Sequence, residues 1–281
     1  MKKQKTVSIK AKLLGVIIPV VIAIVVVLVV AAYQISAGTI KKYSQNLLQS
    51  SVENQASQIE AWLNENLASF QMAKTIIEDL KPSDEELKTI LDGYYGYNSN
   101  YPEGLYVADS TGQLITASES TKKESDVTNS TWYKEGLTRV NMAVGSAYQN
   151  ADGVNVISAS GILNDGSDKV RVISADMTLD RIAIIVNSFI EMNDAEAFLV
   201  DKTSGVILAN RDSSLISQTL GAEGQSHFYQ LTAEKAAEKD YNFATLDGNM
   251  TVFQEVDGTN WLLISYIPTS IVLSDLTQLR N

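Results

Sequence analysis

The sequence predicts an α+β fold: one transmembrane helix, a long stalk helix and two tandem antiparallel-sheet modules. Three observations predict it. Residues 13–33 form a run of 21 positions without a charge. Residues 34–80 space their apolar side chains by threes and fours, as one face of a helix does. A strand, turn and strand pattern then occurs twice, in "GLYVADSTGQLITA" (104–117) and "AFLVDKTSGVILAN" (197–210).

The uncharged run comes first. At about 1.5 Å per residue it reaches roughly 30 Å, the hydrocarbon thickness of a bilayer. It exceeds the apolar core of a cleaved signal, and no small-x-small cleavage site separates it from the helical segment that follows. Lys2, Lys3, Lys5, Lys10 and Lys12 precede it, against Lys41 and Lys42 beyond it. That asymmetry places residues 1–12 in the cytoplasm and residues 34–281 outside the cell membrane. The formal charge of the 281 residues is −11, but without those five lysines 17 basic residues face 33 acidic ones. An acidic ectodomain of this kind is no nucleic-acid binder.

The stalk, residues 34–81, carries Val52, Ala56, Ile59, Leu63, Phe70, Ala73, Ile77 and Leu80 on one face, with Asn66 the polar interruption. Its length is about 70 Å as a helix. The face either packs along its own domain or forms the seam of a homodimer. In "KPSDEE", Pro82 ends the helix, and Ser83 with Glu86 forms a capping box for a second helix through "LKTILDGYYG". The two hairpins open modules at 82–188 and 189–270. Each closes alike, in "KVRVISADMTLDRI" and "NWLLISYIPTSIVL", a strand passing into a helix start. Thr178 to Met192 reads as the joining helix. Residues 271–281 start a helix toward a second span, as in the front part of a longer polypeptide.

Several chemistries are excluded. Without cysteine there are no disulfides, thiolate ligands or cysteine nucleophiles. The single His227 builds no two-histidine metal site, and neither a phosphate loop nor a G-x-S-x-G elbow is present. "DSTG" and "DKTSG" lack the alternating oxygen ligands of a calcium loop and read as turns. No enzyme activity, metal or cofactor is expected.

Taken in order, "SIKAKLLGVIIP", "VENQASQIEAWLNENLASFQ", the Trp-Tyr pair after a variable loop, "VISADMTLD" and "NWLLISYIPTSIV" resemble the double Cache (dCache_1) sensor domains of bacterial transmembrane receptors, especially methyl-accepting chemotaxis proteins. The resemblance implies a long N-terminal helix bearing two PAS-like sheets, with the ligand in the membrane-distal module. The amino-acid-binding branch of that family grips a carboxylate with a Tyr and an Arg just before the Trp-Tyr pair, and an ammonium with acidic residues further on. Trp132, Tyr133, Tyr148 and Asp176 match. Ser130 stands at the Arg position, Ser125 at the earlier Tyr and Asn150 at the first acidic one, while Tyr106 on the first hairpin strand joins the candidates by position.

Without the guanidinium, a buried ligand carboxylate keeps much of its desolvation cost. The expected ligand is therefore a small organic molecule, with an amine or a nucleobase-like ring ahead of an amino acid. A short organic acid requires Arg139 or Arg171 to turn inward, and Arg171 lies an odd number of residues from Asp176, on the opposite sheet face. Each candidate also has an ordinary role: Trp132 and Tyr133 as core, Tyr148 as a strand-edge cap, Asp176 as a helix cap. Tyr94, Tyr95, Tyr97 and Tyr101 read as a rim loop or an exposed turn. The expected function is ligand sensing for chemotaxis, the alternatives being the sensor of a histidine kinase or diguanylate cyclase, or an adhesion module.

Overall fold

The computed structural model describes residues 9–151, 153–188, 192 and 194–274, and side chains from residue 13 onward. Contacts divide the chain into a larger unit, Leu47–Pro268, and a smaller one comprising residues 9–46 and 269–274 among those described. Helix α1 (Ile9–Leu80) is a single element of 72 residues, so the expected span and stalk are one continuous helix. Among the described residues it is the one helix long and apolar enough to cross a membrane, by length and composition. Its apolar side chains from Leu13 to Val30 are exposed.

Within the larger unit, α1 buries Val52, Ala56, Ile59, Leu63, Phe70, Ala73 and Ile77, the face read from the spacing, and Leu48 one turn earlier. Leu80 departs from that face and is 64% exposed. It lies in the last turn, where Lys81 at φ 49° turns the chain away. Buried Asn66 is satisfied locally, its Nδ2 donating to the Trp62 carbonyl at 2.7 Å. Gln55 Nε2 donates to the carbonyls of Ile185, Val186 and Ser188, fixing the helix against the segment between the sheets. Helix α2 (Asp84–Asp92) opens with the expected capping box: Ser83 N donates to Glu86 Oε2 at 2.9 Å, and Glu86 N donates to Ser83 Oγ.

The first module is an antiparallel sheet of β1 (Leu105–Asp109), β2 (Leu114–Ile115), β3 (Ala143–Gln149), β4 (Asn155–Leu163) and β5 (Arg171–Thr178), in the order β2-β1-β5-β4-β3. The short helix α3 (Thr131–Gly136) lies on one face. A Cβ at Gly136 would stand 2.3 Å from Val172 Cγ1, so glycine permits that close approach. Tyr101, expected in an exposed or rim loop, is instead core. Its ring meets Phe70 edge-on at 4.7 Å, because α1 offers it an apolar ring.

The joining helix is shorter than expected. α4 spans Asp180–Val186 and ends at Asn187, and residues 189–191 lie outside the described ones. The second module repeats the first: β6 (Glu196–Asp201), β7 (Ile207–Asn210), helix α5 (His227–Ala237), β8 (Ala244–Leu246), β9 (Asn249–Val256) and β10 (Trp261–Pro268), in the order β7-β6-β10-β9-β8. α6 (Thr269–Val272) follows, and 275–281 lie outside the described residues. In both modules the last strand sits in the middle of the sheet, so most residues of β5 and β10 are flanked on both sides and buried.

Asp109 and Asp201 end the first strand of each module and close a turn, as read from the sequence. Asp109 Oδ1 accepts from Thr111 N and Gln113 N, and Asp201 Oδ1 from Thr203 N and Ser204 N. Burial pushes the Asp109 carboxyl up, but the Lys169 ammonium at 2.6 Å and the turn donors outweigh it and hold the group at about 2.

Candidate functional site

Strand parity assembles the first-module cluster. Val172, Ser174 and Asp176 on β5 share a face with Tyr106 and Ala108 on β1 and with Ser158 and Ser160 on β4, through the pairs Tyr106–Ser174 and Ser158–Asp176. Asp176 is 7% exposed. Its Oδ1 accepts from Tyr106 Oη at 2.5 Å, Ser158 Oγ at 2.6 Å and Tyr148 Oη at 2.9 Å. Burial and the neighbouring Asp176 charge push the Tyr106 and Tyr148 phenols far above their ordinary range. Both therefore keep their protons and stand as donors.

Tyr148 reaches this face through an irregularity in β3. Val144 pairs with Ala159 but Ala147 pairs with Ile157, so one extra residue is accommodated around Gly145 and Ser146. In unbroken register Tyr148 would oppose Asn155 and point to the other face; the bulge sets it opposite Val156, on the side of Ser158 and Asp176. Glu135 on α3 clamps the bulge, accepting from Ser146 N at 3.1 Å and Ser146 Oγ at 2.8 Å. A Cβ at Gly145 would lie 1.8 Å from Glu135 Oε2.

The second carboxylate oxygen belongs to a residue the sequence reading missed. Lys122 Nζ donates to Asp176 Oδ2 at 2.6 Å and lies 4.2 Å from the Tyr106 ring centroid. The lysine side chain is only 7% exposed. In sequence it belongs to the charged loop "TKKESD", which reads as solvated surface. The one available signal was a cation shortly before the Trp-Tyr pair.

The other candidates divide. Trp132 is fully buried, edge-on to Tyr106 at 4.9 Å and to Tyr133 at 5.7 Å, with its Nε1 donating to Glu124 Oε2 at 3.2 Å. Tyr133 belongs to the same apolar cluster. Ser130 leads into α3 and donates to the Val127 carbonyl. Asn150 shapes the β3–β4 turn, where its Oδ1 accepts from Val154 N at 2.9 Å. Arg171 faces away, as parity required, and binds Asp165 and Asp84. Arg139 Nη1 does reach the cluster's face, 3.4 Å from Ser160 Oγ, but the guanidinium also meets Glu135 and the Ala143 carbonyl.

Two sheets of one strand order, each with its own core and one with a carboxylate at its centre, define a tandem PAS-like domain. The chain belongs to the Cache domain family, the dCache_1 model matching residues 32–276. Solved structures of similar fold include the ligand-binding domain of the Pseudomonas fluorescens chemoreceptor CtaA with L-isoleucine, at 20% identity and TM-score 0.67, covering 85% of this chain and 98% of that one. The ligand-binding domain of Mlp24 with asparagine is 17% identical with TM-score 0.68, covering 86% and 98%. That of the Pseudomonas aeruginosa PAO1 chemoreceptor PctC with GABA is 19% identical with TM-score 0.61, covering 80% and 99%. No curated protein matches the chain in sequence.

Proposed function

We propose that the chain is the membrane anchor and extracytoplasmic sensor of a chemoreceptor, and that its first, membrane-distal module binds a small organic molecule through an ammonium group. The observation that carries this reading is Asp176. Three hydroxyls orient one of its oxygens, and the other is presented beside an aromatic ring to a primary ammonium. The ligands named for the similar structures, isoleucine, asparagine and GABA, each carry an amino group.

A guanidinium for a ligand carboxylate is lacking at Ser130, and Arg139 and Arg171 are both engaged elsewhere. This favours an amine over an amino acid or a short organic acid. Trp132 and Tyr133 form the wall behind Tyr106. The N-terminal lysines support a cytoplasmic N-terminus. Met72, Ile76 and Leu80, exposed at steps of four on α1, support a homodimer along that helix. Binding would bias a small displacement that a following span carries inward to a chemotaxis output.

The test is a thermal-shift screen of the full chain in detergent against primary amines, nucleobases, amino acids and short carboxylic acids, with the mass of the particle measured on the same sample. A native-state ligand must raise the melting temperature. The expected hit is an amine, abolished by Asp176→Asn, on a dimeric particle. A hit indifferent to that change removes the ligand from this module, and no hit in any class favours an adhesion module.

A further inference from the structure

The Lys122 side chain occupies the place that this reading gives to the ligand's ammonium. Its amine meets Asp176 Oδ2 with the Tyr106 ring beside it, both side chains being more than nine-tenths buried. The loop that carries it is otherwise superficial. Apart from the Lys122 side chain, residues 118–126 are exposed or half-buried, and the other anchors are polar: Ser118 to Asp92, Ser120 and Thr121 to Glu103, and Glu124 to the Trp132 ring N–H. A segment with few buried contacts opens at low cost. The one deep attachment of this loop is therefore the ammonium itself.

We infer that Lys122 is a tethered internal ligand, which an incoming primary ammonium displaces from Asp176. The inference rests on the amine-sensing reading of the same site. The exchange conserves charge, one ammonium replacing another on the same carboxylate, so Asp176 is never left buried and unpaired, the costly outcome. The freed lysine returns to water on the loop. Release also frees Glu124, the partner of the Trp132 N–H, which links occupancy of the carboxylate to α3.

Two consequences follow. A lysine tethered a few residues from its anchors competes at an effective concentration in the millimolar range, so the apparent affinity for a free amine falls by the fraction of time the site is open. The receptor is thereby set to respond to abundant rather than scarce amines. The loop also closes over an empty site and is released from a filled one, opposite to a lid that clamps its ligand.

The test uses propylammonium, whose three carbons and nitrogen match the atoms that Lys122→Ala removes. With the full chain in detergent, the variant should bind propylammonium at least about ten-fold more tightly than wild type, read as a rise in melting temperature at concentrations that leave wild type unmoved. Adding Asp176→Asn to the variant should abolish that rise. Equal binding to both proteins would overturn the internal ligand while leaving the amine site standing. Weaker binding to the variant would make Lys122 a ligand contact and also overturn it. Binding to neither would remove the amine site as well. Should Lys122→Ala not fold, wild type decides: propylammonium at about 100 mM should speed amide exchange across residues 119–126, and unchanged or slowed exchange there refutes displacement.

Discussion

Asp176 in the first sheet and Tyr266 in the second stand at the same place in the ladder. Each lies two residues beyond the partner of a ring on its module's first strand, Tyr106 opposite Ser174 and Phe198 opposite Ile264, and each faces a hydroxyl residue, Ser158 or Thr251. Around that shared place the first sheet buries Ser158, Ser160, Ser174 and Asp176; the second buries Thr251, Phe253 and Ile264 beside Tyr266. In the second module Phe228 fills the space, 4.4 Å from the Tyr266 ring, and Tyr266 Oη donates to Glu196 at 2.6 Å. One backbone thus supports an apolar filling and a polar one. An unpartnered buried hydroxyl costs about 1–3 kcal/mol, so a polar row persists where its groups are bonded to one another. In the first module Ser158, with Tyr106 and Tyr148, converges on one carboxylate, while Ser174 donates to the Ala159 carbonyl and Ser160 accepts from Arg139.

The comparison can be broken most forcefully by moving polarity across it. Ile264→Ser should cost the second module about 3–4 kcal/mol, combining a cavity with a stranded hydroxyl. Ser174→Ala at the matching position removes one hydroxyl that donates to the Ala159 carbonyl, for about 1 kcal/mol. Denaturant unfolding of the full chain measures both, and equal losses would mean that the two fillings are interchangeable.

A second distinction lies in the matching turns. Asp109 carries Lys169, and its carboxyl sits at about 2 rather than its ordinary 3.8. A depressed pKa stabilises the fold above the unfolded value, and that contribution disappears as pH falls from about 4 through 2. Asp109→Asn should therefore cost about 2 kcal/mol at pH 7, with the gap to wild type closing near pH 2. Asp201→Asn, at a turn whose described contacts include no lysine, should cost under about 1 kcal/mol because an amide oxygen still accepts the turn N–H groups. A gap for Asp109 that persists at pH 2 would point to the turn rather than the ion pair.

A smaller effect than that of Asp109→Asn is expected of Gly145→Ala. The added methyl displaces the flexible end of Glu135, costing its bonds to Ser146 and about 1 kcal/mol. Amide exchange should rise along β3 and leave β8 and β9 unchanged. Protected exchange at Tyr148 in this variant would show that the bulge needs no clamp.

Much of this fold was legible in the sequence because local rules decide it. The spacing of Val52, Ala56, Ile59 and Leu63 is the burial pattern of α1, Ser83 and Glu86 form the capping box they spell, and the glycines of the two hairpins, Gly112 and Gly205, sit at φ 85° and 71°. Tyr148 and Asp176 entered as candidates by resemblance to a family and Tyr106 by position, and the structure brings the three together, while parity disposed of Arg171. What escaped depends on distant partners. Tyr101 sits in a turn-rich loop yet finds Phe70. α5 carries no clear apolar stripe, and its place is set by Phe228 meeting the second core. Lys122 comes from a charged loop, and only the folded sheet shows that a carboxylate 54 positions away awaits it.

The bulge in β3 carries an evolutionary consequence. With strands alternating at period two, deleting one residue between Val144 and Ala147 would remove the bulge and leave Tyr148 opposite Val156, on the face of Ser158 and Asp176, with the pairs on either side unchanged. The bulge thus marks a point where this edge strand can lose one residue without turning Tyr148 away from the cluster. Length can therefore change at this sheet edge over evolution while the cluster around Asp176 is inherited whole.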